Sequence, residues 1–232
     1  MTGGSSGIGR ATVALLGARG ATVGVLDRTA PADSDTAWAQ CDIADAASVE
    51  QSVAELAAHT GRADVLVCSA GINASHSAIE HPVDLWDQVL GVNLTGTFHT
   101  IRACLPSMLE RRWGRIVTLS SGGAVRVLAN RAAYAASKAG VIALTKAVAM
   151  EAADRGVTAN VIAPGLTDTP MAAQVYGDRS GAESAVGTSR VANPMGVLLS
   201  PDDIAGGIDY LCSPAARYVT GQVLHINAGG VM

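Results

Sequence analysis

The chain has 232 residues, 49% of them hydrophobic and 16% charged, which suffices for one full core and excludes general disorder. A net charge of −4, an aromatic content of 3% and the lack of any concentrated run of Lys and Arg exclude an electrostatic or stacking surface for nucleic acid. No apolar run reaches the ~18–20 residues of a membrane span, and no basic segment followed by an apolar run opens the chain, so a cytoplasmic protein without a membrane partner is expected.

In chain order, strand-like apolar runs alternate with segments of helical periodicity. A glycine-rich turn over residues 2–9 leads into a helix marked by Ile8, Ala11, Leu15 and Ala18, with Gly20 as its stop. Residues 21–27 read as a strand ending in Asp27, and 37–41 as a weaker one. Val49, Val53 and Leu56 mark the next helix, residues 64–69 a strand, 85–108 a long helix and 115–120 a strand. A second long helix over 132–153 is rich in small residues on every face, and strands over 158–163 and 223–226 complete the set. Several strands are continuously apolar, as in sheets covered on both faces. The β-α-β order predicts an α/β fold: one doubly wound, Rossmann-type parallel sheet with helices on both faces. No repeat or linker divides the chain, so residues 1–232 are expected to form one dinucleotide-binding and catalytic domain. Such a sheet needs a strand ahead of the glycine turn. Met1 and Thr2 fall short of the roughly five residues of a strand, so the first strand is expected to be missing from the chain. Residues 166–196, glycine-rich and weakly periodic, read as an irregular substrate lid.

The chemistry-bearing residues start in the turn Thr2-Gly3-Gly4-Ser5-Ser6-Gly7-Ile8-Gly9. Glycines there allow a pyrophosphate to approach the backbone, and the helix N-terminus offers free N–H groups and a positive dipole end. The spacing is Gly-x3-Gly-x-Gly rather than G-x-G-x-x-G. Asp27, at the end of the next strand, is placed to bond both ribose hydroxyls of NAD. Tyr134 and Lys138 stand four apart on a helix and share a face; a neighbouring ammonium lowers a phenol pKa toward use as a general acid/base. The cysteines Cys41, Cys68, Cys104 and Cys212 form no CxxC pair and read as reduced thiols. His76 and His81 are five apart, off the register of two ligands on one helical face, so no metal is expected.

In order and spacing, residues 2–9, Asn93, Ser121, Tyr134-Ala-Ala-Ser-Lys138 and Pro164-Gly165 resemble the short-chain dehydrogenases/reductases over essentially the whole chain. The resemblance implies a catalytic set in which Tyr134 transfers a proton, Lys138 lowers its pKa and holds the nicotinamide ribose, Ser121 binds the substrate oxygen and Asn93 supports a proton-relay water. Ser121 is preferred to Ser120 by its distance to Tyr134. The cofactor contacts it implies are Gly3, Ser5, Ser6, Gly7, Ile8 and Gly9 in the turn, Asp27 at the ribose, and Asp42 and Ile43 at the adenine. Ala70 and Gly71, Tyr134 and Lys138, and Pro164, Gly165, Thr167 and Thr169 complete them, with Thr169 as hydroxyl donor to the nicotinamide amide. Three departures stand out: Cys68-Ser69-Ala70-Gly71 replaces the usual Asn-Asn-Ala-Gly, Asn227 replaces an Asp before the final glycines, and the first strand is lacking.

The reading is an oxidoreductase moving hydride between NAD and a secondary alcohol/ketone pair, with a small molecule as substrate partner and, by the resemblance, a homotetramer pairing the helices over 85–108 and 132–153. An alternative is an NADP-dependent 3-oxoacyl-thioester (acyl carrier protein) reductase, with Arg28 on the 2′-phosphate and Asp27 opposing it by charge. A non-catalytic cofactor-binding regulator is the reading from another class; it would not need Asn93, Ser121, Tyr134 and Lys138 together. The 122–131 loop and the lid are expected to line the pocket, with Val125, Val127, Leu128, Met171 and Met195 as an apolar wall. Arg126 or Arg131 is placed to meet an anionic group.

Overall fold

Short parallel strands run through the middle of the computed structural model, which describes residues 1–188 and 193–230. The chain order is α1 (Gly7–Ala18), β1 (Gly24–Asp27), β2 (Ala37–Gln40), α2 (Ala46–Thr60), β3 (Val65–Cys68), α3 (Val83–Leu90), a π-turn (Gly91–Thr95), α4 (Gly96–Arg111) and β4 (Gly114–Leu119). It continues with α5 (Ala132–Ala152), β5 (Val157–Pro164), α6 (Pro170–Tyr176), α7 (Arg179–Thr188), α8 (Pro201–Cys212) and β6 (Val223–Ile226). Four strands pair in the order β3-β4-β5-β6 and two as β1-β2, all parallel.

Every residue of β4 and β5 is buried, because helices cover both faces and the pleat sends alternate side chains into two cores. On one face Leu66, Cys68, Ile116, Val157 and Ala159 pack against Ile101, Cys104 and Met108 of α4 and Val148, Ala149 and Ala152 of α5. On the other, Val67, Val117, Leu119 and Ile162 meet Ile204, Ile208 and Leu211 of α8. The doubly wound α/β arrangement is the expected one.

Ahead of α1 the described residues form no strand, as expected, but the slot between β1 and β3 is partly filled. Residues 1–3 enter it: Leu26 N–H donates to Met1 O at 2.7 Å and Gly3 N–H to Leu26 O at 2.9 Å, while Thr2 N–H donates to Val67 O at 3.0 Å and Ser69 N–H to Thr2 O at 3.2 Å. Thr2, flanked by Met1 and Gly3, thus bridges β1 and β3 at the C-terminal end of the sheet, where ligands of doubly wound folds collect.

Three expected elements also change. The strand over 21–27 begins only at Gly24. The long helix over 85–108 is divided by the π-turn, whose widened backbone frees the Asn93 side chain to bond outside the helix. The segment over 166–196, expected to be irregular, contains two helices: Thr169 Oγ1 accepts from Ala172 N to cap α6, with Pro170 in the first turn, and Asp178 accepts from Gly181 N to start α7. The part of the lid over 189–192 lies outside the described residues.

Candidate active site

The glycine turn closes only because side chains are missing from it. Gly3 has φ +68°, and a Cβ there would sit 2.6 Å from the backbone N of Ala70; one on Gly9 would run into the carbonyl oxygen of Gly3. Ser6 stands at the N-cap of α1 without a side-chain cap bond, so the N–H groups of the first turn keep their capacity for an anion. Gly3, Ser6, Gly7 and Ile8 line a cavity of about 770 Å³. Ser5 and Gly9 are not among its lining residues; they build the turn. Ser5 N–H donates to Asp27 Oδ2 at 3.1 Å and Ser5 Oγ to Thr29 O at 2.7 Å. Asp27 Oδ1 accepts from the Thr29 N–H at 3.2 Å, so this carboxylate holds the turn while lining the cavity beside Arg28, Asp42 and Ile43. The donors and the close approaches fit a dinucleotide.

Further along the cavity lie Ala70, Gly71, Ser121, Tyr134, Lys138, Pro164, Gly165, Thr167 and Thr169. Ser121 follows β4 and caps a single 3₁₀ turn, its Oγ accepting from Gly123 N–H at 3.0 Å. Ser120 turns the other way and donates to Lys138 O at 2.8 Å, a structural bond. Tyr134 projects from the first turn of α5. Burial pushes its pKa up, against a hydrogen bond with Ser121 and the charge of Arg131. A Tyr in this state keeps its proton at neutral pH and is a proton donor there.

Lys138 is 5% exposed and has no carboxylate partner among the described residues. Its Nζ donates to Leu119 O at 2.9 Å, and burial lowers its pKa from 10.5 to about 8. An ammonium carries three donors, so capacity remains toward the cavity. Lys138 Nζ lies 5.9 Å from the Tyr134 ring centroid. The cation that lowers the Tyr134 pKa in this arrangement is Arg131, where the sequence pattern pointed to Lys138.

Asn93 is fully buried and does not line the cavity. Its Oδ1 accepts from Ile72 N–H at 2.8 Å, and its Nδ2 donates to Ile72 O at 3.0 Å and to Ser137 Oγ at 3.0 Å. Ser137 Oγ in turn donates to Tyr134 O at 2.8 Å. Asn93 therefore ties the loop after β3 to the helix that carries Tyr134.

The remaining departures have local explanations. Cys68 is a buried core thiol pushed up to about 12, chiefly by desolvation. Thr2 Oγ1 accepts from Ser69 N–H at 3.2 Å and Ala70 N–H at 3.3 Å, which orders that turn without Asn amides. Asn227 Oδ1 accepts from Gly229 N–H at 3.0 Å. Thr169, expected as a donor to a nicotinamide amide, lines the cavity; its Oγ1 accepts from Ala172 N–H in the α6 cap at 3.2 Å and donates to Thr167 O at 3.4 Å. Sequence reading did not single out Asn73, Gln174, Tyr176, Asn193 or Asn227 as cavity-lining residues. Chain reversals bring them there, and no local motif marks them.

A family model described as enoyl-(acyl carrier protein) reductase, of the short-chain dehydrogenase/reductase group, matches residues 3–230. The chain belongs to the short-chain dehydrogenases/reductases. This short-chain dehydrogenase/reductase is 35% identical over 241 aligned residues to the 3-oxoacyl-(acyl-carrier-protein) reductase of Escherichia coli, covering 100% of this chain and 96% of that one. It is 32% identical over 251 residues to the D-beta-hydroxybutyrate dehydrogenase of Cupriavidus necator, with coverage of 100% and 96%. Among solved structures it matches levodione reductase with TM-score 0.91 and 31% identity, over 98% of this chain and 95% of that one. Ligand-free aldohexose dehydrogenase of Thermoplasma acidophilum matches with TM-score 0.92 and 28% identity, over 98% and 91%. The protein is thus an NAD(P)-dependent oxidoreductase acting on CH–OH or keto groups. No helix among the described residues is long and apolar enough to cross a membrane.

Proposed function

We propose that this short-chain dehydrogenase/reductase reduces the keto group of 3-oxoacyl compounds to a secondary alcohol. The convergence of Ser121, Tyr134 and Lys138 on the cavity of the glycine turn carries the reading. The names of two relatives supply the substrate class: both the 3-oxoacyl reductase and the beta-hydroxybutyrate dehydrogenase react at the carbon β to a carboxyl carbon. This favours the 3-oxoacyl alternative of the sequence over an unspecified secondary alcohol.

Gly3, Ser6, Gly7 and Ile8 hold the pyrophosphate, Asp27 the adenosine ribose, Asp42 and Ile43 the adenine, and Lys138, Pro164, Gly165 and Thr167 the nicotinamide end. The bound nicotinamide supplies the hydride and becomes oxidised. Ser121 Oγ and the Tyr134 hydroxyl receive the carbonyl oxygen. With hydride supplied to the carbonyl carbon, the C=O π pair would take the Tyr134 proton, so that the oxygen stays on carbon as the hydroxyl of the secondary alcohol and Tyr134 is left as a phenolate. The Lys138 ammonium stabilises the phenolate until a solvent proton restores it. Asn93 keeps Tyr134 and the loop after β3 in register. Asp27 supports NAD and Arg28, beside it in the cavity lining, supports NADP; the ratio of kcat/KM for the two cofactors decides between them.

Residues 1–232 act as one catalytic domain, with 166–196 as the lid, in a homo-oligomer formed through α4 and α5. With the four thiols unpaired, a reducing, cytoplasmic setting is part of the same proposal. The test is oxidation of NADH and NADPH, followed by absorbance, over 3-oxo acids, esters and thioesters alongside unrelated ketones. Turnover of 3-oxo compounds that is lost in Tyr134→Phe supports the reading; no turnover of any carbonyl with either cofactor overturns it.

A further inference from the structure

We infer that the substrate carries a carboxylate close to its reacting carbonyl and that Arg131 receives it. The inference rests on the oxidoreductase reading of this cavity and adds the charge of the molecule that fills it.

Charge is distributed unevenly along the cavity. Among the described residues its lining holds two carboxylates, Asp27 and Asp42, both at the end where β1 and β2 finish. The rest of the lining, which includes Ser121 and Tyr134, carries Arg126, Arg131, Asn73 and Gln174 and has no Asp or Glu. A neutral alcohol or ketone needs no such imbalance. An anion is favoured by it, because charge–charge interactions strengthen in a cavity from which water is excluded.

Arg131 is the cation of that lining whose position stability does not explain. It stands at the N-cap of α5, where the 21-residue helix presents its positive dipole end, and no acidic residue occupies the first turn. A cation there is unfavourable for the helix. Arg131 takes part in none of the ion pairs found among the described residues, and its guanidinium makes no hydrogen bond there. Its backbone is nevertheless fixed: it pairs with His76, and His76 N–H donates to Asn130 O at 3.1 Å. This stitch joins the loop that carries Asn73 to the start of α5. Asn73 also lines the cavity, its Oδ1 is buried without a donor, and its Nδ2 makes no hydrogen bond among the described residues. One wall thus combines a guanidinium on a fixed stretch of backbone with the unengaged Nδ2 of Asn73, donors suited to a carboxylate.

Spacing selects the carboxylate among anions. Arg131 precedes Tyr134 by three residues, about 4.5 Å along the helix at ~1.5 Å per residue. The Arg131 charge is felt at the Tyr134 hydroxyl across the same cavity, so an anion held by Arg131 lies near the carbonyl received at Tyr134. A short oxo acid meets that condition. A phosphate on a thioester carrier lies many bonds away, and a simple ester or thioester has no charge to offer.

The test compares kcat/KM for 2-, 3- and 4-oxo acids of four to six carbons with their methyl esters, and for 3-oxo compounds also with the neutral N-acetylcysteamine and the coenzyme A thioesters. At least one acid should exceed its ester and both thioesters by about tenfold or more, in line with a charge-assisted bond. In Arg131→Gln the acid should lose about 10- to 100-fold, mainly through KM, bringing the acid/ester ratio toward one. Arg131→Lys should recover part of that ratio. Melting temperature and NAD(P)H binding show whether each variant is folded; if Arg131→Gln fails to fold, the Arg131→Lys ratio and the wild-type acid/ester ratio carry the test. Esters or thioesters used as well as acids by the wild type, or an acid preference that survives in Arg131→Gln, overturns the inference and leaves the oxidoreductase reading intact. If no carbonyl compound is reduced with either cofactor, that reading fails and the inference with it.

Discussion

Tyr134 and Lys138 share one face of α5 but are perturbed in opposite directions by the same burial. Desolvation holds the proton on Tyr134 and drives it off Lys138, whose pKa falls from 10.5 to about 8. Tyr134→Phe keeps the ring and removes the proton donor, so turnover should fall by ~10²–10⁴-fold. NAD(P)H affinity, measured by fluorescence titration, should stay within about threefold. Lys138→Met should abolish turnover yet stabilise the cofactor-free protein at pH 7. Below about pH 8 Lys138 is charged folded or unfolded, so its full burial cost is present. From there to about 10.5 the folded side chain loses its proton while the unfolded one keeps it, so this cost fades as pH rises. At about 1.4 kcal/mol per pKa unit the cost reaches about 3 kcal/mol. The variant's gain in thermal midpoint should therefore be several degrees at pH 7 and shrink toward pH 10; a loss at pH 7 would show that the bond to Leu119 outweighs desolvation. At Asp27, Asp27→Ala should narrow whatever preference for NAD the wild type has, read as the ratio of kcat/KM values.

At the scale of elements, the π-turn between α3 and α4 is the junction that matters for the site. It lets Asn93 hold both backbone groups of Ile72 and, through Ser137, the carbonyl of Tyr134. Asn93→Ala leaves the Ile72 N–H and C=O unpaired at about 1–3 kcal/mol each. Its unfolding free energy from urea titration should drop by that amount together with kcat, and a stable variant with unchanged kcat would dissociate the clamp from catalysis. The lid helices α6 and α7 are tied by exposed contacts, Arg179 to Asp168 at 2.9 Å and to Glu183 at 2.8 Å. Such surface pairs contribute little. Amide exchange over 170–188 should slow when NAD(P)H and substrate are both bound, as closure excludes water; equal protection with and without ligands would argue that the lid is already closed.

For the whole molecule, the outward face of α5 carries Ala136, Ala139, Ala143, Ala147 and Met150, and α4 exposes Phe98. Small side chains let another helix approach closely, and an apolar stripe of this length is unusual on a monomer's surface. Light scattering at micromolar concentration should return a multiple of the 23.4 kDa chain mass, and Ala143→Arg, on that stripe, should lower it; a monomer mass for the wild type would refute the assembly.

Local chemistry decided much of this protein in one dimension. The glycine turn, the acidic end of the following strand and the Tyr134/Lys138 spacing are legible because neighbours along the chain, or four apart on a helix, meet whatever the rest does. The parallel sheet is legible because strands buried on both faces must be continuously apolar. The lid helices also had a local signal, the Thr169–Pro170 cap, which weak periodicity obscured. What only the tertiary structure decided are juxtapositions across the chain. Residues 1–3 bridge the sheet because Val67 and Leu26 present their backbone groups to them. Asn93 reaches Ile72 through a widened helical turn, and a backbone bridge joins the Asn73 loop to Arg131. Burial at the sheet's C-terminal end, set by packing and not by the identity of either residue, sends the two pKa values in opposite directions.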